Sequence, residues 1–533
     1  MKTPRWPLIV VPAVALSIGW GIRGNFGHEH GAMMPGALAA MAAVLMSGRD
    51  DWRRRVAYFG AFGGLGWAFG GSMSYGHVLG YANSVDSLTT AYGYASLFLI
   101  GFLWAAVGGA GAALPAFLSR ERLTEFFAPV LLFFGVLALH DLTYDSLNIW
   151  LAHALHGVTL TGNALYRQEE PLYWYDADWT TALLGVLVPL AYAAWRRRID
   201  RATSLMLHMS VGWWVGFLLF PVTLGWRMTP PRGDNWAGCL GLTVGMWVYF
   251  QREKLGGVTL ASVVAGFVGG AGFALATLFQ VLEVNTGWPT NWHSVLEQTY
   301  GAINGIGIGA VMLLLLNRAP RVSDDPPVRR WTDWFAPFFV LIGISYLNLR
   351  KNPEEWVGAG AMAPVLAGLQ PITWFNLAYL GLAIATVWLL VAHMRRGLPV
   401  VPASWLGKGQ MLLLAFLWCI VIGNFERALP RFAAQRLITE GVIFANAVLL
   451  TLLLLLAPPA KPTEPEEPPA WSPLLRRSVF WGLPGLLVCV LVCWSMTMTF
   501  STEQSRRFRG AHIRFGPHAT ATNEKPKPGV PHP

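Results

Sequence analysis

About fifteen apolar segments follow one another along the chain, the first near 6-22 and the last near 478-500, separated by polar loops of which every second one is basic. A helix needs about 20 predominantly apolar residues to cross the hydrocarbon of a bilayer. Lipid, in which every backbone group must be satisfied internally, leaves helices as the economical solution for such segments. Runs such as 448-457, VLLTLLLLLA, are apolar on nearly every face, as expected where lipid and not a protein core surrounds the helix. Composition agrees, since only 13% of residues are charged against about 25% in ordinary soluble domains. The expected fold class is an all-α polytopic membrane protein with about fifteen transmembrane helices.

The basic loops are Arg49 with Arg53 to Arg55, Arg120 with Arg122, Arg196 to Arg198, Arg252 with Lys254, Arg318 to Arg330, Arg395 with Arg396, and Arg476 with Arg477. Lys and Arg collect in cytoplasmic loops, which places the N-terminus in the cytoplasm of a cell with a plasma (inner) membrane. The net charge of +10 is then a consequence of topology, and no nucleic-acid partner is expected. The expected partners are the bilayer and either a small solute or a lipid-linked substrate. The opposite loops, rich in Trp, Tyr, Asn, Gly and His, face outward. The segment near 458-473 reads as a disordered cytoplasmic loop, and 501-533 as a disordered external tail. The external stretch after a span at 126-142 carries Asn148 to His156 at helical period, as in a surface or re-entrant helix.

Self-similarity at an offset of about 206 to 208 residues adds a second constraint. Thr124-Glu125-Phe126-Phe127-Ala128-Pro129 recurs as Thr332-Asp333-Trp334-Phe335-Ala336-Pro337. Gly63-Gly64-Leu65-Gly66-Trp67-Ala68 recurs as Gly269-Gly270-Ala271-Gly272-Phe273-Ala274, and Gly19-Trp20 as Gly225-Trp226. Three anchors in register imply two parallel six-helix repeats, 1-200 and 201-398, followed by about three extra membrane helices in 399-500. Parallel repeats also occur in transporters of the major facilitator type. The loop Gly48 to Arg55 sits where that superfamily carries a Gly, Asp and Arg signature, but its spacing departs from it. Gly423-Asn424-Phe425-Glu426-Arg427 echoes Gly24-Asn25-Phe26 with Glu29, which hints at a partial third copy.

The junction from Gly19 to Gly31 holds Arg23, Asn25, His28, Glu29 and His30 between two short spans, so it dips into the membrane. A charge at that depth costs about 2.5 to 3.5 kcal/mol unless paired, which makes Arg23 and Glu29 functional candidates and each other's possible counter-ions. The equivalent junction of the second half holds Arg232, Asp234 and Asn235. Paired interruptions in a duplicated chain point to a central substrate or proton site. His77, His140 and Asp141 are secondary candidates, the last two as a proton relay. Residues two apart do not share a helix face, so His28-Glu29-His30 does not suit a metal. The Arg23 to Glu29 run resembles the Arg, Gly-Asn-Phe and Glu run of prolipoprotein diacylglyceryl transferases, but Arg23 and Glu29 each sit one residue too close to the Gly-Asn-Phe core. No cofactor is expected, and no Gly-x-x-x-x-Gly-Lys loop for ATP is present.

Two functions are compatible with these features. The first is a membrane transporter of a small polar or anionic solute, with its site between the repeats. The alternative is a membrane-embedded transferase acting at the external face on a lipid-linked or glycan substrate, with Glu29 or Asp141 as general base. A transporter needs polar groups reaching the midplane and access from both sides, whereas a transferase needs a site open on one side.

Overall fold

A computed structural model describes residues 5-27, 29-70, 73, 75-159, 171-175, 177-229, 235-322, 331-396, 407-455, 457 and 470-501, with backbone alone at Glu29 and Met394. Of the described residues 82% are helical, and none of them forms a strand. Long helices coincide with the apolar segments: α1 (Pro7–Arg23), α2 (Glu29–Met46), α3 (Val56–Phe69), α4 (Ser87–Ala113), α5 (Phe127–His156), α6 (Trp179–Arg196), α7 (Arg201–Phe217) and α8 (Asn235–Arg252). They continue with α9 (Gly256–Thr277), α10 (Trp292–Leu315), α11 (Trp331–Gly358), α12 (Pro371–Arg396), α13 (Lys408–Ala428), α14 (Ala434–Leu455) and α15 (Trp471–Phe500). Ten helical segments among the described residues are long and apolar enough to cross a membrane, and α1, α3 and most of α2 are shorter apolar helices. The chain is an all-α, multi-pass membrane protein.

Two local expectations change. The chain over 56-81 is apolar enough to be expected as one span, but its helix ends at Phe69 and a separate short helix, Gly76–Ala82, follows. The helix expected after the span at 126-142 is no separate element: α5 runs unbroken from Phe127 to His156, about 45 Å at 1.5 Å per residue. The stretches expected to be disordered lie almost wholly outside the described residues, except that α15 already begins at Trp471.

The described residues divide into two compact units, one within 5-72, 97-127 and 250-501, the other within 73-96 and 128-249. In the second unit α5, α6 and α7 share a small core of Phe133, Val188 and Met206, and α7 packs on α8 with Gly212 against Gly241.

The first unit contains a closed ring of six helices joined at small residues. A Cβ at Gly19 of α1 would lie 2.5 Å from Pro35 of α2, and one at Gly36 of α2 would lie 2.4 Å from the Gly63 carbonyl of α3. Gly66 of α3 meets Gly111 of α4, Gly101 of α4 meets Gly269 of α9, and Gly272 of α9 meets Ile303 of α10. The ring closes where α10 returns to α1. Cβ atoms at Gly301, Gly305 and Gly309 would lie 2.6, 2.4 and 2.5 Å from backbone atoms of Leu16, Ala13 and Leu8. Small residues are how membrane helices gain contact where lipid removes the hydrophobic drive to associate. The α1–α10 seam is therefore zipped over most of its length.

Aromatic rings fill the middle. Trp20 lies 5.5 Å from Trp67, 4.9 Å from Trp104 and 5.1 Å from Tyr300, and Tyr300 lies 4.7 Å from Phe273. All five side chains are buried. Five of the six ring helices contribute one, so the ring is a packed core and not a pore. Helices α13 and α14 pack outside it against α1 and α2, and α15 packs against α9.

Candidate functional site

The site starts from Arg23, the last residue of α1. Its guanidinium stacks over Trp20 and Trp104 at 4.8 and 5.1 Å, and its Nη1 donates to Glu297 Oε1 of α10 at 2.5 Å. Both side chains are 3% exposed. Sequence reasoning found Arg23 but missed Glu297. The described ion-pair partner of Arg23 therefore comes from a distant helix, while the Glu29 side chain lies outside the described residues. Gly24 makes the approach possible, since a Cβ there would lie 2.9 Å from Glu297 Oε2.

One turn before Glu297, His293 places Nε2 3.3 Å from Glu297 Oε1. Its side chain is 54% exposed. Asn291 caps the start of α10 by accepting from the Ser294 N–H, which fixes the turn that presents His293. The result is a chain of three groups: an accessible imidazole, a buried carboxylate and a buried guanidinium. Gln298 ties the same turn to its neighbours. Its backbone carbonyl accepts from Ser17 Oγ, and its amide donates to the Thr439 carbonyl of α14.

A second row of polar groups adjoins the first. Asn25 Nδ2 donates to Asn424 Oδ1 of α13 at 2.7 Å, and Asn424 Nδ2 donates to Glu440 Oε2 of α14 at 2.6 Å. The two Gly-Asn-Phe triplets noted in the sequence thus meet through their asparagines. Lys351 Nζ donates to the Phe26 carbonyl, Arg427 lies over the Phe26 ring, and Arg427 pairs with Glu355 at 3.5 Å. Asn348 of α11 donates to the His30 carbonyl at the start of α2. Arg23, Asn25 and the His30 backbone are therefore brought together, with His293, Glu297, Asn424 and Glu440 added by the fold. Glu297 and Glu440 had a signal in the sequence, because a carboxylate inside an apolar span is costly enough to be functional by default.

The other expected residues stand elsewhere. His28, Arg232 and Asp234 lie outside the described residues. Asn235 belongs to the second unit, where its side chain accepts from the Asp178 N–H at 2.8 Å and donates to Asp178 Oδ2 at 2.6 Å, tying together the starts of α6 and α8. His140 and Asp141, also in that unit, pair at 3.2 Å, and the other His140 nitrogen lies 3.1 Å from Thr180 Oγ1. His77 is exposed on its short helix.

A different charge cluster sits where α2 passes into α3. Arg49 forms a two-pronged pair with Asp51 at 2.9 and 2.6 Å, and it also donates to the carbonyls of Leu316, Ala319 and Pro320 beyond the end of α10. Arg55 donates to the carbonyls of Pro115 and Leu118 beyond α4. All three charged side chains are buried. They satisfy carbonyls left over at helix C-termini, where positive charge is also favoured by the helix dipole. This cluster holds the ring together and presents no accessible group.

Among the described residues no group of three or more His, Cys, Asp or Glu could hold a metal ion. Compared with known protein families, curated proteins and solved structures, the chain matches none.

Proposed function

We propose that the chain is a membrane-embedded transferase or hydrolase that works from one face of the bilayer on a lipid-linked or lipid-surface substrate. The observation that carries this reading is the half-exposed imidazole of His293 held against the buried carboxylate of Glu297. A buried carboxylate on one ring nitrogen fixes the tautomer and steadies the imidazolium that forms on proton uptake. The other nitrogen is then available to take a proton from an attacking hydroxyl or water. Arg23 pairs with Glu297 and holds it in place, while Lys351 and Arg427 supply positive charge of the kind that holds a phosphate or carboxylate.

The fold supports one-sided chemistry over alternating access. The α1–α10 seam is zipped by close backbone contacts, and the ring is filled by aromatic side chains. In this reading all fifteen helices cross, the N-terminus is cytoplasmic in a plasma (inner) membrane, and the His293 end faces outward. A transporter of a small polar or anionic solute is the second reading. It is favoured by the duplicated sequence and by the pairing of Arg23 from the first proposed repeat with Glu297 from the second.

The test is a comparison of membrane lipids and lipid-linked glycans, by mass spectrometry, between cells expressing wild type, His293→Ala and Glu297→Gln. Conversion of a lipid-linked species by wild type, reproduced with purified protein in nanodiscs and lost in both variants, is the expected result. Unchanged lipids, together with solute uptake into proteoliposomes that needs Arg23 and Glu297, would replace catalysis by transport.

A further inference from the structure

A row of oxygen atoms on α11 is used by neither the ion pair nor the proposed base. Ser345, Asn348 and Asn352 follow one another at spacings of three and four, and the backbone between them stays helical through Arg350 and Lys351. Residues so spaced share one helix face. Each is buried, Asn348 and Asn352 completely. The amide nitrogens are spent: Asn348 Nδ2 donates to the carbonyls of Ile344 and His30, and Asn352 Nδ2 donates to the Gly423 carbonyl and to Glu426 Oε2. Asn348 Oδ1 and Asn352 Oδ1 accept no hydrogen bond, while the Ser345 hydroxyl meets the Cys419 thiol of α13. Exchanging O and N of either amide does not help, because the present nitrogens face acceptors.

Burying one acceptor without a donor costs about 1–3 kcal/mol, and two on neighbouring turns of one face call for a common partner. Beside Asn352 stands the Glu426 carboxylate of α13. Its neighbours are the donors Asn352 Nδ2 and Tyr379 OH, both at 2.7 Å, and no cationic side chain pairs with it among the described residues. The row directly follows a π-helical turn, Phe339–Ile344, a distortion that recurs at functional sites.

We infer that Asn348, Asn352 and Glu426 form a binding site for a monovalent cation of the sodium class. Amide and carboxylate oxygens are hard ligands suited to alkali and alkaline-earth ions. The charge count selects between these. Divalent ions take several carboxylates or bound phosphates, whereas here a single carboxylate faces neutral oxygens, enough to balance one positive charge. The ion would tie α11 to α13 beside the polar end of the ring and convert the two unmet amide oxygens into ligands. This site is separate from His293 and Glu297 and does not depend on what they do.

The experiment is thermal unfolding of the full chain in nanodiscs, in sodium chloride against choline chloride at equal ionic strength. Wild type is expected to show a saturable upward shift of its unfolding midpoint with sodium and none with choline. Glu426→Gln and Asn352→Ala are expected to lose the sodium-dependent shift. Glu355→Gln, whose partners are the more exposed Arg427 and Arg431, is expected to keep it. Titration calorimetry of sodium into wild type needs no variant and is expected to give saturable heat. Indifference of wild type to sodium in both measurements overturns the assignment, as does a full sodium shift in Glu426→Gln. A response to calcium with none to sodium overturns the monovalent class.

Discussion

Arg23 and Glu297 are 274 residues apart in the chain and form an ion pair in which each side chain is 3% exposed. The pair joins the end of α1 to the first turns of α10, so it closes the seam that completes the six-helix ring. Removing one partner of a buried pair leaves the other charge uncompensated, at a cost of about 3–5 kcal/mol. Arg23→Ala and Glu297→Ala are each expected to lower the unfolding midpoint strongly in detergent. The double variant Arg23→Met/Glu297→Met is expected to recover most of the loss while remaining inactive. If the double variant is as unstable as the sum of the singles, the pair is not the coupled unit described here.

His293 separates stability from activity. Half-exposed at the start of α10, its side chain contributes little packing, and surface substitutions of that kind usually change stability by no more than about 0.5 kcal/mol. As a general base it would contribute about 10² to 10⁴ in rate. His293→Ala is therefore expected to leave the unfolding midpoint in place and reduce turnover of the lipid-linked substrate by that factor. Turnover within threefold of wild type would remove His293 from the chemistry.

The arginine cluster at the α2–α3 turn predicts a contrast between neighbours. Arg55 is fully buried and donates to the carbonyls of Pro115 and Leu118, whereas Arg54 is 64% exposed and pairs only with Asp50 at 3.3 Å. Arg55→Ala strands those carbonyls and exposes Asp51 to imbalance, with an expected cost of about 3–5 kcal/mol. Arg54→Ala should be nearly neutral, as exposed pairs are. Measured side by side by chemical or thermal unfolding, equal effects would show that burial does not set the difference.

How much of this could be read from the sequence depended on where a charge sat. Arg23 was legible because it stands in a Gly-rich interruption between short apolar runs, and the helices themselves were legible from apolar length. Glu297 and Glu440 lie inside apolar helices, where the sequence shows a cost but not the residue that offsets it. Their partners, Arg23 and Asn424, are set by tertiary packing. The loop from Arg49 to Arg55 reads in the sequence as topology and as an imperfect likeness to a transporter signature, not as a buried cluster. Counting positive charges does not distinguish an arginine in water from one that caps the carbonyls of two helices. The ring was hidden for a related reason: four of its helices are consecutive in the chain and two arrive from beyond residue 250, brought in by glycine contacts whose partners have no local signature.

One-sided chemistry and alternating access make opposite demands on the α1–α10 seam. A Cβ at Gly21 of α1 would lie 2.6 Å from Gln298 Cγ of α10, and its nearest neighbours would all be side-chain atoms, so Gly21→Cys with Gln298→Cys sets two Cβ atoms near the roughly 3.5–4.5 Å separation that a disulfide spans. The native cysteines at 239, 489 and 493 are buried and Cys419 is partly so, and mass spectrometry can distinguish the engineered bond from them. A static scaffold for catalysis at one face does not need α1 and α10 to part. The oxidised double variant is therefore expected to turn over lipid-linked substrate at the rate of its reduced form. A transporter that rocks its two halves about this seam would be arrested by the bond and released by reductant, and that outcome would overturn the enzymatic reading.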